Sequence, residues 1–223
     1  MGDLNFPAHA HVVRLAIGED PALLFGAMLP DLVNMAGERF QLDLPDEVEA
    51  GRRLHHRADE CFHDTAAFRD GVGRLRAALR AQGLGSGPSR AGAHLGYELV
   101  LDTCLPWDEA LASDLTRALA FGAELATRLS ARPRAAWVPV LNRFAAVRWI
   151  GLASTTDEEL AHRVEGILSR RPRLALPPGG CDSVATALTA VRPTIADTSE
   201  ELFAEVAVAL ATSPAREPSR PSC

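Results

Sequence analysis

Apolar residues recur along this chain at three- and four-residue spacing almost from end to end. That is the period of one helical face, not the alternation of a strand. "FPAHAHVVRLAIG" predicts a first helix, with Pro7 at a tolerated early position. "DPALLFGAMLPDLVNMAG" predicts a second, capped by Asp20, with Pro21 at its first position. Pro30 is expected to end or kink it, which places Asp31 at a break. "LPDEVEAGRRLHHRADECFHDT" predicts a longer helix from near Pro45 and Asp46, with Val48, Leu54, Ala58 and Phe62 on one face. "AAFRDGVGRLRAALRAQGLG" follows, ended by glycines, and "GSGPS" is expected to be a loop. "RAGAHLGYELVLDTCL" stops near Pro106, and "WDEALASDLTRALAFGAELATRLSA" stops before Pro133. "AAWVPVLNRFAAVRWIGLAS" and "DEELAHRVEGILSRRPRL" are further helices, and "ALPPGG" is a linker. "DSVATALTAVRPTIADTSEELFAEVAVALA" is one helix kinked near Pro193, or two. The expectation is one all-α domain over residues 1–211 and a disordered tail over 212–223, "TSPAREPSRPSC". Helix should make up at least about 80% outside loops and tail, with no sheet of three strands.

Composition narrows what such a bundle can do. The chain has 223 residues, enough to bury a sizeable core. Its net charge of -6 excludes a general grip on a nucleic-acid backbone, which needs a basic face. All 23 basic residues are arginine, so Schiff-base chemistry and a phosphate-loop lysine are excluded. Cys61, Cys104, Cys181 and Cys223 are widely spaced, which speaks against disulfides and thiolate zinc sites and fits a reducing, cytoplasmic setting. "MGDLNFPAHAHVVR" does not read as a signal peptide, and no run of 18 apolar residues predicts a membrane span. There is no G-x-G-x-x-G, phosphate-loop or G-x-S-x-G pattern and no internal repeat.

The candidate chemistry lies in two helical stretches. "LHHRADECFHD" packs three of the chain's seven histidines into eleven positions. Residues four apart share a helix face, so His55, Asp59 and His63 are predicted to face one point. His94, Glu98 and Asp102 repeat the spacing inside the apolar "AGAHLGYELVLDTCL", where charges are costly unless paired or bound to metal. Asp31, and the pair His9 and His11, complete the set. Imidazole with carboxylate suits Mn²⁺, Fe or Zn²⁺ better than Ca²⁺. Taken singly, each residue also has an ordinary role. His55 and His56 can be a solvated pair, Asp59 can pair with Arg52, Arg53 or Arg57, His94 can be a core histidine, and His162 reads as surface.

The same stretches resemble the acyl carrier protein phosphodiesterase family, an all-helical group related to the HD-domain metal-dependent phosphohydrolases. "NFPAHAH" resembles that family's N-F-L-A-H-x-H opening, and "GAMLPDLV" its G-N-L-L-x-D-F stretch, with Asp31 on the family aspartate. "LPDEVEAGRRLHHRADECFHDTAAFR" is similar to its P-P-E-V-x-x-G-I-x-L-H-R-x-I-D-x-F-T-D-x-H-P-x-x-R segment, which puts His55 and Asp59 on the family histidine and aspartate. "GYELVLDTCL" resembles D-V-x-Y-D-H-F-L, with Glu98 and Asp102 on its two acids. The chain departs from the pattern at His63 (an aspartate in the family), Thr103 (a histidine) and Glu98 (an aspartate). "GAMLPD" also resembles the zinc-dependent phospholipase C group.

The resemblance implies an HD-domain-like bundle that hydrolyses phosphoesters with a divalent metal, Mn²⁺ first and Fe or Zn²⁺ next. Its ligands would be His9, Asp31, His55, Asp59, His63 and Asp102. Asp59, Glu98 and Arg57 would act in catalysis, and Arg52 or Arg57 would steady the phosphate. The substrate would be a phosphoester, with acyl carrier protein as the family's own partner. For that acidic partner, Arg52, Arg53 and Arg57 would have to form a local docking face. The alternative from another class is a non-catalytic helical protein that keeps the fold and binds a ligand or partner in the cleft.

Overall fold

The computed structural model describes residues 6–37, 43–145 and 147–212. Helix accounts for 82% of them, and no strand occurs among them. The elements are α1 (Phe6–Ala16), α2 (Pro21–Ala36), α3 (Asp46–Asp64), α4 (Ala66–Ala81), α5 (Ser86–Thr103), α6 (Glu109–Thr127), α7 (Ala131–Ala145), a 3-10 helix (Trp149–Ser154), α8 (Asp157–Leu168) and α9 (Gly180–Thr212). They form one all-α bundle, as the periodicity predicts. Thr212 closes α9, and the rest of the expected tail lies outside the described residues.

The first helix is the axis of the packing. Every residue from Phe6 to Val13 is buried, so α1 is enclosed on all sides instead of showing one wet face. It packs on α2, α3, α5, α6 and α9. His9 and His11 are therefore both inside the protein, 200° apart around the helix, and cannot serve one ligand set.

Helix α3 carries the densest chemistry. Its buried positions Val48, Gly51, His55, Ala58 and Phe62 follow a three-four-three-four spacing, the stripe that one neighbouring helix covers. Acidic Asp46, Glu47 and Glu49 fill its first turn and suit the positive end of its dipole. It lies very close to α2. A methyl group on Gly26 would sit 2.2 Å from the Val48 carbonyl oxygen, and one on Gly51 would sit 2.1 Å from the Leu23 carbonyl oxygen. The two glycines let these backbones approach, and that approach sets Asp31 of α2 against His55 of α3.

Thr65 ends α3 and starts α4. Its hydroxyl donates to the Phe62 carbonyl at 2.9 Å, and its oxygen accepts from the Phe68 N–H at 3.2 Å. One residue thus fixes both aromatic walls of the cleft described below. Elsewhere Asp20 and Asp108 cap α2 and α6, and Thr156 with Glu159 forms a capping box on α8.

Three sequence expectations change, and of the two forms expected around Pro193 the single helix is the one found. Pro30 neither ends α2 nor marks a break. The helix runs on to Ala36 and stops at Gly37, whose φ of 74° needs no Cβ, so Asp31 is held inside a helix. Pro30 costs one ladder donor, and packing on α1 and α3 outweighs that loss. "GSGPS" is a cap and first turn, with Gly85 as N-cap and Pro88 at the third helical position, where the missing N–H would have had no helical partner. "AAWVPVLNRFAAVRWIGLAS" splits into α7 and the 3-10 helix, and α7 begins at Ala131, before Pro133. Pro193 lies within α9, which runs unbroken over 33 residues.

Candidate metal centre

Each of α1, α2 and α3 contributes one donor to a buried point. His9, Asp31 and His55 present ligand atoms that all lie within 4.8 Å of one another. His9 Nδ1 is 3.4 Å from Asp31 Oδ2, and His55 Nδ1 is 4.0 Å from the same oxygen. The two imidazole rings lie 4.1 Å apart between centroids. His55 Nδ1 is 2.8 Å from the Ala27 carbonyl oxygen of α2. A carbonyl only accepts, so Nδ1 carries the proton and its approach to Asp31 is an electrostatic contact, which leaves Nε2 as the nitrogen of His55 with a lone pair for a metal.

A second group lies further out. His63, His94 and Glu98 also bring ligand atoms within 4.8 Å of one another, and His94 Nε2 is 2.9 Å from Glu98 Oε1. Asp59 stands between the two groups. Its Oδ1 is 3.9 Å from His9 Nε2 and 3.7 Å from His63 Nε2. A narrow cleft lined by Ala8, His9, Asp59, Phe62, His63, Phe68, Glu98 and Leu101 opens onto both. None of these residues is an arginine.

The sequence placed His55, Asp59 and His63 at one point, and the structure divides them between two. At 1.5 Å per residue, eight positions span about 12 Å of axis, too far for one ion. His55 goes to the deep group, His63 to the outer one, and Asp59 lies between. The second i, i+4, i+8 set divides likewise. His94 and Glu98 join the outer group, while Asp102 turns to the start of α1, where its Oδ1 accepts the Ala8 N–H at 3.1 Å. Arg57 reaches away from the cleft and donates to the Leu210 carbonyl at 3.2 Å. Arg52 and Arg53 both pair with Glu49, which offsets one of their two positive charges. His56 is exposed and meets only the edge of the His55 ring at 5.3 Å. His162 is on the surface, as expected, and there it meets Cys181 Sγ at 3.3 Å. Sequence alone gave no signal for that contact, since Cys181 sits on another helix. Nor did it single out Phe68, which stacks on His63 with centroids 4.8 Å apart.

Electrostatics set different protonation states across the donors, and a cation would have to displace the proton that Asp31 and Glu98 favour on His9 and His94. Burial alone would lower the pKa of His9, but the Asp31 carboxylate outweighs it, with help from Asp59 and Glu98, and the net shift is upward. Burial would raise Asp31, and His9 and His55 pull it below the usual carboxylate range. His55 drops to about 4, through burial and then the charge of His9, so it is neutral at physiological pH. His94 is raised by its Glu98 partner. Burial drives Asp102 well above the usual range.

A divalent cation fits this donor set. Among the described residues, buried side-chain atoms without a hydrogen-bond partner include His9 Nδ1, Asp31 Oδ2, His63 Nε2 and Asp102 Oδ2. Buried polar atoms are rarely left so, because each costs the desolvation it never recovers. With His11 Nδ1 and Trp137 Nε1 the unpartnered atoms among the described residues make six, of which three belong to the two groups, and a cation at each group would satisfy those three. With nitrogen and oxygen donors and no cysteine, the set matches Mn²⁺, Fe or Zn²⁺.

His11 gives a test of burial that is separate from metal. Burial, then the Arg14 charge, lower its pKa to about 4 against the pull of Asp108. An unfolded histidine titrates near 6.5. Between those values the unfolded chain binds a proton that the native state does not, so stability falls as pH drops from 6.5 towards 4. For one histidine the loss is about 3 kcal/mol. His55 shifts the same way and His9 and His94 the other way, so the comparison must be with a variant. In EDTA, urea unfolding at pH 7 and pH 4.5 should show a smaller loss of stability for His11→Leu than for the wild type. Equal pH dependence in both proteins would show that His11 is not held neutral.

Comparison with known proteins finds no matching family model, no matching curated protein and no matching solved structure.

Proposed function

We propose that this protein is a metal-dependent phosphoester hydrolase, a phosphodiesterase or phosphatase, with its cation held by His9, Asp31, His55 and Asp59. The observation that carries this is the convergence of donors from three helices, with buried unpartnered atoms at their tips, at the floor of an open cleft. The family resemblance of the same residues supports the phosphoester class.

The charge of the cleft points the same way. It presents Asp59 and Glu98, with Asp31 behind them, and no arginine. A phosphoester would be repelled from these acids unless a cation arrived first. When bound, a divalent cation supplies the positive charge for the phosphoryl oxygen and makes a nearby water acidic enough to attack at neutral pH. The chain's own residues do the rest. Asp31 holds negative charge at the floor, 3.4 Å from the His9 ring nitrogen. The Ala27 carbonyl fixes the His55 tautomer. Phe62, Phe68 and Leu101 wall the cleft with apolar surface, which strengthens electrostatic interactions inside it.

The test begins with elemental analysis of the protein as purified, without chelator. It should contain Mn, Fe or Zn at about one ion per chain or more. Hydrolysis of bis(p-nitrophenyl) phosphate should disappear after EDTA treatment and return with added Mn²⁺. A chain that carries no transition metal and turns over no phosphodiester with Mn²⁺ present would support the non-catalytic, ligand-binding alternative instead.

A further inference from the structure

We propose that the cleft takes a second divalent cation on His63, His94 and Glu98, with the Asp59 carboxylate shared between it and the deep cation. The proposal rests on the hydrolase reading above and deepens it, turning one ion into a pair.

The outer group has the composition of the deep one, two imidazoles and one carboxylate, and the same spread of ligand atoms, within 4.8 Å. A donor set of the same type selects the same class of cation. Its parts are held in place. His94 and Glu98 are one turn apart on α5, and His63 comes from the last turn of α3. Phe68 stacks on His63 and meets the His94 ring edge-on at 5.6 Å, while the two imidazoles stand perpendicular with centroids 4.9 Å apart. Phe68 is itself seated by Tyr97 at 4.9 Å and by the Thr65 cap.

An ordinary ion pair explains only part of this. His94 with Glu98 is satisfied as a salt bridge at 2.9 Å. That pair gives no account of His63. Its ring is 41% exposed, yet its Nε2 is buried against the cleft and finds no hydrogen-bond partner. Nor does it account for Asp59, whose one oxygen lies at nearly equal distances from a histidine of each group. A carboxylate between two nitrogen-and-oxygen sites is the arrangement of two-ion hydrolytic centres, where paired cations stabilise the attacking and leaving oxygens together.

The experiment is Mn²⁺ binding to EDTA-stripped full-length protein, by equilibrium dialysis and electron paramagnetic resonance. The wild type should bind two Mn²⁺ per chain and give a spin-coupled signal. His94→Gln and Glu98→Gln, with helix content checked by circular dichroism, should each bind one Mn²⁺ with an uncoupled signal. Wild type that saturates at one ion, or His94→Gln that still binds two, overturns the second site. If the single ion is then lost in His55→Ala, the deep site and the hydrolase reading stand without it. If the wild type binds no Mn²⁺ at all, both fall.

Discussion

Asp59→Ala is expected to lose bound metal and phosphodiester turnover together while keeping its helix content. Asp59 is the one carboxylate that reaches histidines of both groups, His9 at 3.9 Å and His63 at 3.7 Å. Loss of a group that only orients a metal ligand typically weakens affinity by about 10- to 100-fold. Loss of a shared ligand should cost at least about 100-fold on that scale. Stability should separate the two states of the protein. With metal at 100 times the wild-type dissociation constant, the wild type gains about 2.7 kcal/mol, and a variant weakened about 100-fold or more gains at most about 0.4 kcal/mol. In EDTA the variant should melt slightly below the wild type. The expectation from spacing alone is the reverse, relief of repulsion among crowded carboxylates, but the atoms nearest to Asp59 are imidazoles, so removing it loses attraction instead. His56→Ala is the control, because that side chain is exposed and touches only the edge of His55. Should Asp59→Ala keep its metal, or His56→Ala lose it while His55→Ala does not, the cation is not on this face of α3.

What the sequence made legible was the face, and what it hid was the depth. Four-residue spacing correctly grouped His55, Asp59 and His63, and also His94 and Glu98, because a helix fixes which side chains share a side. It could not say that residues eight apart serve different points, since that depends on which neighbouring helix each turn meets. His55 meets α2 at Ala27 and Asp31, while His63 meets α5 at His94. Asp102 belonged by spacing with Glu98 and by contact with the first turn of α1, a pairing across 94 residues that no local pattern encodes. The prolines misled for a similar reason. At Pro30 the local rule favours a break, and the packing of α2 between α1, α3 and α6 overrides it. Proline 88 was harmless for a purely local reason, its place in the first turn, and a closer count of helix positions would have found it.

The largest effect on stability is expected from a single methyl group on a residue that offers no ligand atom. Gly26 and Gly51 face each other where α2 crosses α3, and each Cβ would fall about 2 Å from a backbone carbonyl of the other helix, 2.2 Å and 2.1 Å respectively. Neither carbonyl can rotate away, because each belongs to a helix ladder. Gly51→Ala must therefore push the helices apart, and overpacking typically costs about 1–3 kcal/mol and occasionally more, with backbone contacts this short placing it at the upper end. The displacement falls between the helix that carries Asp31 and the helix that carries His55 and Asp59. Metal affinity should drop by at least about tenfold even in molecules that remain folded, since a ligand set tolerates only small misplacement. Gly73→Ala supplies the opposite sign. That glycine lies within α4 with nothing inside 4 Å of its would-be Cβ, so alanine there should stabilise by about 0.5–1 kcal/mol. Urea unfolding and Mn²⁺ titration of the two variants side by side measure both effects. If Gly51→Ala were as stable as Gly73→Ala and bound metal as well as the wild type, the close crossing of α2 and α3 would not be what holds the donors together.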